Sequence, residues 1–171
     1  MLYCYTGDGK GKTTAALGLA LRAAGYGMKV GILQFMKGTW HTGELDSIAK
    51  IPEIDLIQMG KGFYKILDDQ WTEEEHQKAA NEGLHWLEKQ LEKGDYKVII
   101  LDELNVAIDL KLLDEAKALE LLKKGKEKLH LVITGRNAPG SFLELADLVT
   151  EMKAVKHPFE KGRPAEKGLD F

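Results

Sequence analysis

The fold class is decided near the start of the chain, by the stretch Leu2-Tyr3-Cys4-Tyr5-Thr6-Gly7-Asp8-Gly9-Lys10-Gly11-Lys12-Thr13-Thr14. Its first part, Leu2–Tyr5, is a short apolar run of the kind that forms a buried strand, with Cys4 as a small core residue. A loop with three glycines follows. Next comes Thr13–Gly25, which is rich in alanine and leucine and predicts a helix. The chain therefore opens in the order strand, glycine loop, helix.

The rest of the chain alternates between strand-like and helix-like segments. Further strands are predicted at Met28–Phe35, Ile54–Met59, Lys97–Leu101, Leu129–Thr134 and Leu148–Met152. Further helices are predicted from Thr72 to about Glu92, from Asp114 to Lys124, and around Leu143–Leu145. Apolar strands separated by helices indicate an α/β fold with a mostly parallel sheet covered by helices on both faces. We expect one domain over residues 1–171, with an irregular tail from about residue 153.

Two of the predicted helices carry local signals: a capping box at the start of the long helix, and apolar residues at helical spacing on both. Thr72 and Glu75 form a capping box, in which each side chain accepts a hydrogen bond from the backbone N–H of the other residue. The positions expected to be buried are Ala16, Leu17, Ala20, Leu21 and Ala24 on the first helix and Ala80, Leu84, Leu87 and Leu91 on the long one.

The glycine loop has the composition that phosphate binding requires. Its glycines let backbone N–H groups turn toward a ligand without side-chain clashes, and the positive end of the next helix points to the same place. Lys12 adds a positive charge for the outer phosphates, and Thr13 offers a hydroxyl to a phosphate-bound Mg²⁺. Thr6 stands where the common pattern has its first glycine, so the loop is one residue tighter. The loop predicts Mg-ATP binding in a P-loop NTPase (RecA-like) fold; the alternative is a glycine turn that binds nothing.

An acidic pair, Asp102-Glu103, follows the apolar run Val98–Leu101. This is the form of the second acidic element of phosphate-loop enzymes, which orients Mg²⁺ (or Mn²⁺) and its waters. An acid at this place can also simply cap the next helix. Together with the glycine loop, the pair predicts a metal site formed by Thr13, Asp102 and Glu103, with Lys12 and Glu103 as catalytic residues.

Composition excludes several classes of protein. The chain has 171 residues and a net charge of −3, which argues against a general nucleic-acid binder. One cysteine cannot form an internal disulfide or a four-cysteine zinc site. No apolar run is long enough to cross a bilayer, and the N-terminus does not look like a signal peptide. We therefore expect a cytoplasmic protein.

Taken together, the motifs resemble the ATP:corrinoid adenosyltransferases of the cob(I)alamin and cob(I)yrinic acid a,c-diamide type. The resemblance extends in order along the whole chain. After residues 6–14 it is carried by Gln34–Trp40, Gly43-Glu44, Gly60–Phe63, Asp102–Leu104, Thr134–Pro139, Ala146–Met152, Lys156–Phe159 and Lys167–Phe171. The phosphate loop alone is shared with many ATPases, whereas the sum of these motifs is specific.

The resemblance implies a reaction that is rare among phosphate-loop proteins. The Co(I) of a reduced corrinoid attacks the 5′ carbon of the ATP ribose, and the whole triphosphate leaves. Such chemistry requires neutralisation of a highly charged leaving group and alignment of the 5′ carbon with the metal. The resemblance also implies a reducing partner such as a flavoprotein, and a homodimer.

The resemblance assigns further site residues. It implies nucleotide contacts for Thr6, Gly7, Asp8, Gly9, Lys10, Gly11, Lys12, Thr13, Thr14 and Arg22. Lys37 and Glu44 are expected to contact ribose or corrin, and Arg136 a phosphate or the sheet rim. The alternative for Arg22, Lys37 and Glu44 is a simpler role on a solvated surface.

The likeness departs from the family pattern in one aromatic cluster. Phe63 matches an aromatic residue against which the family buries the cobalt face, so it is assigned to catalysis; the alternative is a loop anchor. Lys65 stands where family members often have tryptophan, and Tyr64 or Trp71 is a candidate substitute. Family members also often carry residues before the first strand, and without them corrin access is expected to be more open or to be covered by the C-terminal tail.

Three other functions fit parts of the sequence. A nucleoside kinase or NTPase of the same sheet class would release ADP, and thymidine-kinase-like members usually add a cysteine-rich zinc lobe that one cysteine cannot build. A non-catalytic ATP-dependent switch would bind Mg-ATP without forming a product. A DNA-dependent RecA-like activity is disfavoured by the acidic net charge.

Overall fold

The computed structural model describes residues 1–38, 41–62, 64–65, 69–158 and 162–169. The strands are β1 Leu2–Thr6, β2 Val30–Gln34, β3 Ile54–Gln58, β4 Val98–Asp102, β5 His130–Thr134 and β6 Leu148–Glu151. The helices are α1 Lys12–Gly25, α2 Gly43–Ile48, α3 Glu73–Lys93, α4 Leu104–Asp109, α5 Glu115–Lys126 and α6 Gly140–Leu145. Every predicted strand and helix is present, with ends shifted by a few residues.

The six strands form one sheet in the order β3-β2-β4-β5-β1-β6, and every pair of neighbours is parallel. Because each parallel connection returns to the same edge, the carboxyl ends of the strands lie side by side. The predicted α/β class with a parallel sheet is thus confirmed. The phosphate loop after β1 and the acidic pair at the end of β4 share this edge.

Helices cover both faces of the sheet, because each central strand is apolar on both sides. On β4, Val98 and Ile100 pack toward α1 and α2, whereas Ile99 and Leu101 pack into the larger core under α3, α4, α5 and α6. The side chains of β4 alternate between the two cores as strand geometry requires. Cys4 is fully buried in the larger core, as predicted.

The prediction for α3 is confirmed in detail. Thr72 accepts from the N–H of Glu75 while the Glu75 carboxylate accepts from the N–H of Thr72, which completes the capping box. The expected inner face is buried at Ala80, Leu84, Leu87 and Leu91. The helix ends at Gly94, which adopts the left-handed conformation.

The prediction that Leu21 is buried was wrong, since 60% of it is exposed. The helix α1 lies on the sheet through Ala16, Ala20 and Ala24, and Leu21 is rotated by about 100° from the centre of that row. Small side chains bring α1 close to the strands. Leu21 therefore points away from the core.

Two short helices, α2 and α4, were not predicted. Each has six residues, which is less than two turns and too short to show an apolar period. The predicted strand Met28–Phe35 is also shorter in the structure, because Phe35 already belongs to the turn that leaves the sheet. The helices α2 and α4 and the turn at Phe35 all lie between the longer elements, where tertiary contacts set the conformation.

Asp69 organises the segment that follows β3. Its carboxylate accepts hydrogen bonds from the N–H groups of Lys65 and Trp71 and pairs with Nε2 of His76 at 3.0 Å. The His76 side chain is 2% exposed, and its ring packs edge-on against Tyr64. Asp69 therefore joins the described part of this segment to the first turn of α3.

Two helical glycines provide a matched test of the packing of α3. A Cβ at buried Gly83 would lie 2.7 Å from Cε1 of Phe35, whereas one at Gly18 on α1 would have no neighbour within 4 Å. Alanine favours a helix at both positions by about 0.5–1 kcal/mol, but overpacking at Gly83 costs about 1–3 kcal/mol. We expect Gly18→Ala to raise and Gly83→Ala to lower the free energy of unfolding in urea. Equal stabilisation by both changes would contradict the contact with Phe35.

The Asp69 carboxylate also predicts a pH dependence of stability. Its hydrogen bond with His76, followed by those from Lys65 and Trp71, lowers the pKa of Asp69 to about 2. A carboxyl group whose folded-state pKa lies below its unfolded value of about 3.9 stabilises the fold above that value. That stabilisation is lost as the pH falls from about 4 toward 2.

We expect Asp69→Asn to lower the urea midpoint at pH 7, and this difference from the unchanged protein to shrink between pH 4 and pH 2. Asp95→Asn, at an exposed aspartate, is the control. A midpoint difference for Asp69→Asn that stays constant over this pH range would be inconsistent with the role given to the carboxylate.

Candidate nucleotide and acceptor site

The phosphate loop turns sharply between β1 and α1. Gly7 and Gly11 have φ angles of 95° and 117°, which residues with a Cβ rarely adopt. Gly11 is the N-cap of α1. Helix α1 starts at Lys12, so the free N–H groups of its first turn face the carboxyl edge of the sheet. This is the arrangement that binds anions at helix N-termini.

The segment after β6 clamps the loop from one side. The N–H of Gly9 donates to the carbonyl of Met152 at 2.6 Å, so this amide is already used within the protein. A Cβ at Gly9 would lie 2.7 Å from the carbonyl carbon of Lys153, which leaves no space for a side chain. Further along the tail, the carbonyl of Leu169 accepts from Nζ of Lys10 at 2.6 Å. The tail thus sets the position of the loop.

The amine of Lys12 folds back over the loop. It donates to the carbonyls of Gly7 and Gly9, both at 2.7 Å, and the residue is 9% exposed. Burial lowers the pKa of Lys12, as does the nearby Arg136, while Glu103 opposes the shift. The cation is therefore held inside the turn of the loop, where a phosphate group would enter.

The Asp102 carboxylate is the centre of a hydrogen-bond cluster. Its Oδ1 accepts from the hydroxyl of Thr13 at 2.8 Å and from that of Thr134 at 2.7 Å. Because the Thr13 hydroxyl gives its proton to Asp102, its oxygen lone pairs remain available to a cation. Hydroxyl and carboxylate oxygens are ligands that suit Mg²⁺. These residues therefore fit the metal that the sequence predicts.

Glu103 follows Asp102 in a backbone conformation that is unusual for glutamate. Its φ is 63°, and its N–H donates to the Thr134 hydroxyl at 2.9 Å. Burial raises the pKa of Glu103, and the neighbouring Asp102 adds to the effect, whereas Lys12 is the largest opposing influence. A strained residue of this kind is stable only where the surrounding structure holds it in place. Glu103 contributes to the wall of a cavity above the phosphate loop.

This cavity has a volume of about 890 Å³. Among the residues singled out from the sequence, those that line it are Asp8, Gly9, Lys10, Gly11, Lys12, Thr13, Thr14, Lys37, Glu44, Glu103 and Arg136. Met36, Tyr64, Val106 and Leu110 also line it. Charged loop residues and apolar side chains therefore share one space.

The structure does not bring every predicted residue to the cavity. Thr6, Gly7 and Asp102 do not line it, and Asp102 contributes through its hydrogen bond with Thr13. Arg22 lies exposed in the last turn of α1, about 15 Å along the helix from Lys12, and does not line the cavity. Trp71 is 45% exposed and stacks under Lys61 at 4.2 Å instead. Phe63, assigned to catalysis, lies outside the described residues.

From the sequence, no individual role was assigned to two residues that support the site, Gln34 and Thr134. Each is the polar end of an alternating strand: Val30, Ile32 and Gln34 share one face of β2, and Val132 and Thr134 share the same face of β5. Both polar residues are fully buried. A polar residue that ends an apolar row at the carboxyl edge was the available signal. The role of Met152 has no such signal, because it acts through its backbone.

Comparisons with known sequences identify the family. The family model for ATP:corrinoid adenosyltransferase BtuR/CobO/CobP matches residues 1–171. A corrinoid adenosyltransferase of Pseudomonas aeruginosa is 37% identical, with 100% of this chain and 83% of the relative covered. The corrinoid adenosyltransferase of Escherichia coli K12 is 35% identical, with 100% and 85% covered. The corrinoid adenosyltransferase CobA of Salmonella typhimurium is 33% identical, again with 100% and 85% covered.

Comparisons with solved structures identify the fold. A KaiC-like protein of Pyrococcus horikoshii matches with a TM-score of 0.56 at 16% identity, covering 89% of this chain and 70% of the other. The flagellar accessory protein FlaH of Methanocaldococcus jannaschii matches with a TM-score of 0.54 at 12% identity, covering 88% and 69%. These likenesses place the sheet in the RecA-like, P-loop class. Among the described helices, none is long and apolar enough to span a bilayer.

A family match over the whole chain agrees with the cavity, whose phosphate loop and acidic pair lie where the motifs predicted them. The chain therefore belongs to the ATP:corrinoid adenosyltransferase family BtuR/CobO/CobP and is a transferase.

Proposed function

We propose that this protein transfers the 5′-deoxyadenosyl group of ATP to the Co(I) of a reduced corrinoid and releases triphosphate. The observation that carries this proposal is the shared cavity. The phosphate loop and its cations line it, and so do the apolar side chains of Met36, Tyr64, Val106 and Leu110. A kinase needs a second polar site for a hydroxyl acceptor, whereas an apolar wall suits the face of a large macrocycle.

In the proposed reaction the cobalt supplies the electron pair of the new cobalt–carbon bond. The bond between the 5′ carbon and the triphosphate oxygen breaks, and its electron pair leaves with the triphosphate. Little proton transfer is needed, so catalysis depends on stabilising negative charge on the leaving group and on alignment. The residues of the loop are suited to the first task.

Three cations are close enough to the loop to serve that task. Lys12 lies inside the turn, Lys10 extends from its outer side, and Arg136 reaches the carbonyl of Asp8 from the end of β5. When triphosphate enters, Lys12 exchanges its loop carbonyls for phosphate oxygens. The N–H of Gly9 stays with Met152, so the amides of residues 10–13 provide the phosphate contacts.

Bound Mg²⁺ supplies charge neutralisation to the phosphates that it contacts. The Thr13 hydroxyl and the carboxylate of Glu103, which line the cavity, would hold it, and Asp102 would act through Thr13. The Thr13 hydroxyl is kept in place by Asp102, and the backbone of Glu103 by Thr134. Lys37 and Glu44 also line the cavity and are assigned to the ribose or the corrin.

The acceptor is assigned to the apolar wall, with Tyr64 as its aromatic residue. Its hydroxyl donates to Glu73 and its ring lies against His76, so its orientation is held by α3. Burying a corrin face here would favour loss of a polar axial ligand, because that ligand would have no partner in an apolar wall. A flavoprotein reductant and a homodimer remain predictions from the family resemblance.

The proposal predicts the products of a defined incubation. Protein, ATP, Mg²⁺ and chemically reduced cobinamide or cobalamin should give a light-sensitive alkyl-cobalt spectrum and free triphosphate. Lys12→Ala should lower kcat/KM for ATP by about 100-fold or more, since it removes a buried charge-assisted contact to the leaving group. Absorbance spectra follow the alkyl-cobalt product, and chromatography distinguishes triphosphate from ADP. ADP release without a corrinoid, or full activity of Lys12→Ala, would refute the assignment.

The acceptor assignment predicts a separate effect at Tyr64. Tyr64→Ala should raise KM for the corrinoid by about ten-fold, with a smaller change in the affinity for ATP, because it removes apolar area from the acceptor wall and no group from the phosphate loop. Tyr26→Ala is the matched control, since Tyr26 is 83% exposed at the end of α1. Steady-state kinetics with corrinoid and ATP varied in turn separate the two. Equal KM values for corrinoid in both variants would exclude Tyr64 from the acceptor wall.

A further inference from the structure

A row of polar side chains crosses three neighbouring strands at the carboxyl edge. Gln58 on β3, Gln34 on β2 and Asp102 on β4 are register partners, so their side chains emerge side by side on the face covered by α1. Gln34 and Asp102 are 0% and 1% exposed. Buried polar groups of this kind persist where their hydrogen bonds are satisfied.

The amide of Gln34 lies between two carboxylates. Its Nε2 donates to Oδ2 of Asp102 at 3.2 Å and to Oε1 of Glu44 at 3.4 Å. An amide nitrogen has two N–H donors, so it can serve both acceptors at once. Gln58 donates to the other end of the same amide, Oε1, at 3.2 Å, which fixes the side of Gln34 that faces the acids.

The two carboxylates belong to different parts of the site. Asp102 holds the hydroxyl of Thr13, the residue expected to contact the metal. Glu44 lies in the first turn of α2 and lines the cavity. Without a donor between them, two carboxylates would repel each other in a poorly solvated place. The Gln34 amide therefore sets the distance between the metal side of the site and the wall formed by α2.

We propose that Gln34 is a positioning residue that couples Glu44 to Asp102, and thereby makes ATP binding depend on the divalent cation. This inference rests on the Mg-ATP part of the proposed function and not on its corrinoid part. Gln34 does not line the cavity. It acts through Asp102, which in turn orients Thr13. Outer partners of this type typically change metal affinity by about 10–100-fold when they are removed.

The test is the affinity for ATP measured with Mg²⁺ and again with EDTA, by calorimetry on the full chain. The ratio of the two dissociation constants reports the metal dependence of binding. Gln34→Met keeps the length of the side chain and removes the amide, and it should reduce this ratio by about ten-fold. Gln58→Met leaves the Gln34 donors in place but frees their orientation, so it should give a smaller reduction.

Gln90→Met is the control. Gln90 is a buried glutamine in the last turn of α3, which leads into the amino end of β4. The site lies at the carboxyl ends of the strands, so the replacement removes a buried amide far from it. It should change thermal stability without changing the Mg²⁺ to EDTA ratio. If Gln34→Met does not fold, Gln34→Asn, whose amide is one methylene too short to reach both acids, replaces it.

A ratio for Gln34→Met equal to that of the unchanged protein would overturn the inference. So would an equal reduction by Gln90→Met, or an unchanged protein whose ATP affinity does not depend on Mg²⁺. The proposed corrinoid reaction is tested separately from the role of Gln34. A protein that binds Mg-ATP with the expected ratio but forms no alkyl-cobalt product would refute the proposed acceptor chemistry and leave the role of Gln34 standing.

Discussion

The site depends on one buried carboxylate, that of Asp102. It accepts hydrogen bonds from Thr13 on α1, Thr134 on β5 and Gln34 on β2, and so joins the helix after the phosphate loop to three adjacent strands. A charged group that is 1% exposed is costly unless its oxygens are satisfied, and here three donors satisfy them. The same bonds orient the Thr13 hydroxyl, and through Thr134 they hold the backbone of Glu103. Stability and the proposed cation binding therefore rest on the same contacts.

The phosphate loop is shaped by the chain that returns to it from the far end of the sequence. Strand β6 adds to β1 at one edge of the sheet, and this brings Met152 and Lys153 against the glycines of the loop. The N–H of Gly9 is used by Met152, and Lys10 reaches Leu169. Glycine is needed at position 9 because another segment lies where a side chain would project. The conformation of the loop therefore depends on residues near both ends of the sequence.

The fold alone leaves the chemistry open, because a likeness to KaiC-like and FlaH structures at 16% and 12% identity shows the fold and not the reaction. Function depends on what surrounds the phosphate loop in this chain. Lys12 and Arg136 bring positive charge to the lining of the cavity, and Tyr64 and Leu110 bring apolar surface. A leaving group with several negative charges and a large flat acceptor require those two environments in one space. The family match shows a corrinoid adenosyltransferase, and the lining of the cavity is what the proposed transfer requires.

The sequence by itself determined the features that depend on neighbours along the chain. The phosphate loop, the acidic pair after β4, the capping box at Thr72 and the parallel α/β class follow from local patterns of glycine, charge and apolar spacing. Only the tertiary structure decided which of these residues meet. Leu21 is exposed because α1 approaches the sheet through its alanines, and Arg22 lies far from the cavity because ten residues of helix separate it from Lys12. Gln34 and Met152 acquire their roles from strand register and from a returning chain, and contacts between residues distant in sequence leave no local pattern to read.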